Sequence, residues 1–151
     1  MELSQGPRVR FSPFYRSSQK AGIQVASIYN KMVLPVATDN PTEDYEALTQ
    51  RVALWDVGAQ RQVQIYGPDA LKLATYVSAR DLSNLKIGVA KYAPLCDYEG
   101  RLINDPVVLR VDEVTMWFSI AESDVLLSIR AIAGERGDQV EVCEPDVSPL
   151  A

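Results

Sequence analysis

From Arg61 onward, apolar and polar positions recur in regular blocks; before it they do not. Arg61 to Tyr66 alternates, with Val63 and Ile65 on one face and Gln62, Gln64 and Tyr66 on the other. Period two is the mark of a half-buried strand. Gly67-Pro68-Asp69 stops it and opens a helix expected from Asp69 to about Ala79. Leu71, Ala74, Thr75 and Ser78 mark one side of that helix, and Leu73 and Val77 fill its apolar flank. Arg80 to Gly88 reads as a loop with Leu82 and Leu85 pinned beneath it. Lys91 to Asp97 and Leu102 to Arg110 are the arms of a hairpin. Tyr98-Glu99-Gly100-Arg101 is its turn, where Gly100 can take a positive φ. Val114 to Ala121 is a further strand, and Glu122-Ser123-Asp124 opens a second helix with Ser123 as its cap. Val125, Leu126, Ile129, Ile132 and Ala133 form its apolar stripe, Gly134 and Gly137 end it, and Gln139 to Glu144 is a closing strand.

Strand, helix, three strands, helix, strand is the split-βαβ order with one additional strand. It predicts an α+β fold: a ferredoxin-like antiparallel sheet with two helices on one face. Upstream the chain is less regular, broken by Pro7, Pro13, Pro35 and Pro41. Ile23 to Leu34 reads as a strand or a short helix. Thr42 is expected to cap a helix running to about Ala53. Tyr45, Leu48, Val52 and Trp55 fall at helical spacing and read as a core-packing face. Residues 1–42 and the tail after Glu144 are not needed by the layer.

The chain has 151 residues, 47% hydrophobic and 23% charged, with a net charge of -5. These values fit one ordinary domain and argue against a nucleic-acid binder. Arg8, Arg10, Arg16 and Lys20 stand against Glu2 alone in the first twenty residues, so the acidity lies in the body. No apolar run approaches a membrane span and no signal core precedes Phe11, so the default address is the cytoplasm. Cys96 and Cys143 lack metal-site spacing and are expected as buried, reduced thiols, with no metal. The absence of histidine excludes Ser-His and Cys-His nucleophile pairs within the chain.

One feature resists a packing account. Asn104-Asp105-Pro106 interrupts an apolar run, between Leu102-Ile103 and Val107-Val108-Leu109. Asp is depleted in strands and Pro cannot donate to a ladder. Asp105 therefore sits either at a bulge on a sheet edge or on a carboxylate aimed into a pocket.

The ordered set Trp55-Asp56-Val57, Gly67-Pro68-Asp69-Ala70, Tyr92, Gly100 and Asn104-Asp105 resembles the folate-dependent aminomethyltransferase family, whose best-known member is the glycine cleavage T-protein. Further segments resemble the branch that demethylates dimethylsulfoniopropionate. They include residues 29–35 (YNKMVLP), 80–83 (RDLS), 104–109 (NDPVVL), 119–124 (SIAESD) and 144–148 (EPDVS).

The resemblance implies a ferredoxin-like folate-binding domain over residues 50–144. Before it come residues 1–49, from a split first domain, and after it a truncated tail, 145–151. The whole would be the N-terminal portion of a longer, three-domain enzyme. It implies tetrahydrofolate as cofactor and transfer of a methyl group from a sulfonium such as dimethylsulfoniopropionate to N5. Asp105 falls where the family has a carboxylate beside the reacting nitrogens, and is the implied catalytic and cofactor-binding residue. Tyr92 falls on a pocket tyrosine, Ser119 and Ala121 on a strand whose backbone meets the pterin, and Tyr29 on a substrate-side tyrosine. The T-protein has asparagine where this chain has Ala121, which favours the demethylase branch. Read without the resemblance, Tyr29 and Trp117 both fit core better than a site. Whether the chain turns over by itself stays open. The alternatives are glycine-cleavage-type aminomethyl transfer, a folate-binding fragment without catalysis, or the iron–sulfur-assembly branch. The implied partners are a small methyl donor and either a polypeptide supplying the missing domains or a second copy, with no nucleic acid and no membrane.

Overall fold

The computed structural model describes residues 9–145; the first eight residues and the tail from Asp146 lie outside the described residues. The chain forms two compact units that divide between Ala59 and Gln60.

The first unit holds β1 (Arg10–Phe11), α1 (Tyr15–Lys20), β2 (Val25–Tyr29), β3 (Met32–Ala37) and α2 (Pro41–Gln50). The stretch read as a strand or a helix is a hairpin. β2 pairs antiparallel with β3, and β1 adds to β3 in parallel. Its two-residue turn is Asn30-Lys31, with φ of 50° and 62°. Positive φ at both central residues matches the strand twist, and Asn is among the few side chains that tolerate it. β1 and α1 answer to no expected element. Helix α2 begins two residues earlier than expected. Asn40, not Thr42, is its cap, accepting from the Glu43 amide at 3.3 Å, and Pro41 takes the first helical position. The expected core face is not core. Tyr45, Leu48, Val52 and Trp55 are 67%, 50%, 90% and 63% exposed, and α2 buries no residue.

The second unit holds β4 (Arg61–Tyr66), α3 (Ala70–Val77), β5 (Ala90–Tyr92), β6 (Leu95–Cys96), β7 (Leu102–Asn104), β8 (Val107–Arg110), β9 (Thr115–Ile120), α4 (Val125–Arg136) and β10 (Glu141–Cys143). Five strands form one sheet in the order β10-β4-β9-β8-β5, antiparallel throughout. This is the ferredoxin-like sheet, with β5 as the additional edge strand. Val63 and Ile65 from β4, Phe118 and Ile120 from β9, Leu73 from α3 and Ile129 from α4 share one buried core. Each such side chain contributes about 1.5–3 kcal/mol on leaving water. Leu82 and Leu85 are buried, as the loop reading expects.

The hairpin is split. Its turn stands as read: Gly100 has a φ of 81°, and Asp97 Oδ1 accepts from the amides of Glu99 and Arg101. Its arms, however, belong to two sheets. β5 pairs with β8 in the main sheet, whereas β6 pairs with β7 in a separate ribbon. The break falls at Asp105-Pro106, where Pro106 lacks the N–H to continue the ladder. The Pro106 carbonyl is still used, accepting from the Ala93 amide at 2.9 Å.

Candidate functional site

Alternation sends Val63, Phe118 and Val108 toward the helices, so their neighbours project from the opposite face, which is exposed at Tyr92 and Val107 and buried at Gln62. Register aligns four of these in a row across the sheet: Tyr92 on β5, Val107 on β8, Ser119 on β9 and Gln62 on β4. The row ends in a side-chain bond, Gln62 Nε2 donating to Ser119 Oγ at 3.0 Å. A parallel row holds Leu109, Trp117, Gln64 and Cys143. Trp117 Nε1 donates to Gln64 Oε1 at 2.8 Å; half-buried and outside the buried cluster, Trp117 is not the core residue expected. Neither cysteine is buried: both thiols are free, Cys96 exposed and Cys143 half-buried on this face.

Asp105 lies two residues before Val107, beside the end of the first row. Its carboxylate is exposed and accepts a hydrogen bond from the Tyr92 hydroxyl at 2.8 Å. That bond stabilises the protonated phenol, so the Tyr92 pKa stands above its ordinary value; desolvation and the nearby negative charge add to the shift. The Asp105 carboxylate retains unused lone pairs, and half of the Tyr92 side chain is exposed. Of the two readings for Asp105, the break in the ladder explains its position and the Tyr92 bond its orientation. Ala121 follows β9 directly. Its backbone is held by the Asn104 side chain, which donates to Ala121 O at 2.9 Å and accepts from Ala121 N at 3.1 Å.

Tyr92, Asp105, Ser119 and Ala121 thus meet at one end of one face. Tyr29 belongs to the first unit, half-buried at the end of β2 opposite Met32. Asn104 was missed as more than a neighbour of Asp105; its partner lies 17 positions away, beyond any local pattern. Ser123, expected to cap α4, accepts instead from Asn104 Nδ2 at 2.7 Å, and Asp124 takes the capping position without a side-chain bond. A groove of about 600 Å³ opens on the helix side, between Tyr76, Cys96, Tyr98 and Ile132, and is lined by none of Tyr92, Asp105, Ser119 and Ala121. Among the described residues no His, Cys, Asp and Glu cluster could hold a metal ion. No helix among them is long and apolar enough to cross a membrane.

Residues 16–149 match the GCVT N-terminal domain family. The chain is 41% identical over 144 residues to the dimethylsulfoniopropionate demethylase DmdA of Ruegeria pomeroyi, covering 95% of this chain and 40% of that protein. It is 28% identical over 109 residues to an aminomethyltransferase of Symbiobacterium thermophilum, covering 72% and 29% of the two chains. The fold matches the glycine cleavage system aminomethyltransferase T of Bartonella henselae with a TM-score of 0.72, at 21% identity, over 91% of this chain and 38% of that one. The chain therefore spans well under half the length of the relatives it matches. With a match over nearly its whole length and a shared fold, the chain belongs to the GCVT (glycine cleavage T-protein) family of aminomethyltransferases and related demethylases.

Proposed function

We propose that the chain is the folate-holding portion of a tetrahydrofolate-dependent methyltransferase whose methyl donor is a sulfonium such as dimethylsulfoniopropionate. The observation that supports this reading best is the exposed Tyr92–Asp105 pair, beside the row that runs through Ser119. An exposed carboxylate offers only acceptors, which suits the N–H-rich edge of a pterin. A half-exposed tyrosine ring and the β9 backbone beside it suit a flat heterocycle. When bound, tetrahydrofolate supplies the secondary amine that accepts the methyl group.

Asp105 accepts a hydrogen bond from the amine and sets a negative charge where positive charge develops. Tyr92, through its bond to Oδ2, holds that carboxylate in one orientation. A sulfonium leaves without acid assistance, so the residues' main task is alignment, and a chain without histidine can perform it. The 41% identity to a demethylase supports the sulfonium donor. Similarity to aminomethyltransferases favours aminomethyl transfer as the second reading, which a donor assay separates.

Calorimetric titration with tetrahydrofolate tests the proposal. Hydrogen bonds to charged groups are worth about 1.5–3 kcal/mol, so Asp105→Ala should weaken binding by roughly 10- to 100-fold while leaving the fold intact. Equal affinity would remove Asp105 from the site. A folded wild type that binds no folate would overturn the half-site reading for this chain.

A further inference from the structure

Register between β8 and β9 runs Arg110–Met116, Leu109–Trp117, Val108–Phe118, Val107–Ser119. Extended by two residues along each strand, it sets Asp105 opposite Ala121. The backbone ladder does not reach that pair: Pro106 has no N–H, and Asn104 already belongs to β7. A side chain takes over. Asn104, 3% exposed, bonds both the amide and the carbonyl of Ala121 and donates also to Ser123 Oγ. One buried amide therefore ties the residue before Asp105 to the backbone of Ala121.

We propose that Asn104 is a positioning residue for folate. It replaces the missing rung of the sheet and fixes the spacing between the Asp105 carboxylate and the end of β9. The inference rests on the folate reading above. The side chain touches no reacting group; it acts through Asp105 and Ala121.

The charge state of an isosteric variant provides the test. In Asn104→Asp, a neutral carboxyl can reproduce both bonds to Ala121: its carbonyl accepts from the amide and its O–H donates to the carbonyl. An ionised carboxylate loses the donor and aims negative charge at the Ala121 carbonyl. Burial raises a carboxyl pKa from about 3.9 by up to about 3–5 units, so the change falls between about pH 4 and pH 9. Measured from about pH 4 to about pH 9, the tetrahydrofolate affinity of Asn104→Asp, as a ratio to wild type at the same pH, should stand near one at the acid end and fall about tenfold or more at the alkaline end. Asn104→Leu should bind weakly at both. A purely structural role would lower thermal stability without this pH-dependent rescue, and a ratio flat across pH overturns the inference. Amide exchange in the wild type supplies a check that needs no variant: the Ala121 N–H should be strongly protected, and rapid exchange would overturn the clamp. If wild type binds no folate, the folate reading itself fails. If Asp105→Ala loses binding and Asn104→Asp does not, only the role of Asn104 fails.

Discussion

The Tyr92 phenol keeps its proton beyond the ordinary tyrosine range because its hydroxyl donates to the Asp105 carboxylate. A folded pKa above the unfolded value, about 10, fixes the sign of the linkage. The bond contributes stability that is complete below the unfolded pKa and is lost as pH rises through the folded one. Removing the acceptor in Asp105→Ala should therefore move the Tyr92 ionisation downward. Ultraviolet difference absorbance of phenolate measures this, with Tyr92→Phe identifying its signal among seven tyrosines. Superimposable titrations of wild type and Asp105→Ala would mean the bond is absent in solution. At this scale, Asp105 was legible because an acid and a proline interrupt an apolar run. The role of Asn104 was not, because its bonds join positions 17 and 19 residues apart.

Elements in the second unit follow local rules closely. β4 spans the six alternating residues expected of it, and α4 ends at Gly137 with a φ of 67°. Gly67, between β4 and α3, is demanded by its surroundings as well as by its turn. Its φ is 142°, and a Cβ there would lie 2.4 Å from the Gln139 carbonyl oxygen. Gly67→Ala should therefore cost roughly 2–4 kcal/mol, combining backbone strain with overlap against backbone that cannot swing away. Urea unfolding measures it, and a loss under about 0.5 kcal/mol would mean that the approach of the β10 segment relaxes freely. The helix starts were less legible. Asn40 and Thr42 are both capping types, and Pro41 between them decides in favour of Asn40. The hairpin of β2 and β3 was not legible because its turn is Asn-Lys rather than Asn-Gly.

At the scale of the whole molecule, the first unit leaves apolar side chains in water. Val52, Leu54 and Trp55 are 90%, 99% and 63% exposed, close to Leu48 and Tyr45 in sequence. Apolar surface of this kind seeks a partner. The 151-residue chain should self-associate in sedimentation velocity as its concentration rises, and Val52→Lys with Leu54→Lys should shift it toward monomer. A wild type that stays monomeric at high concentration would contradict this.

The sequence by itself determined the order of elements from Arg61 onward, the buried faces of β4 and α4, and the Gly100 turn, since these follow from period, propensity and φ. Through resemblance it also pointed to the family, which the match over residues 16–149 establishes. Tertiary structure decided which strands of the hairpin pair with which, that Tyr92 and Ser119 share one row, that Asn104 grips Ala121, and that the face at Tyr45 and Leu48 is not core. Each of those depends on register or burial between residues far apart in the chain, and helical spacing identifies an apolar face without saying what covers it.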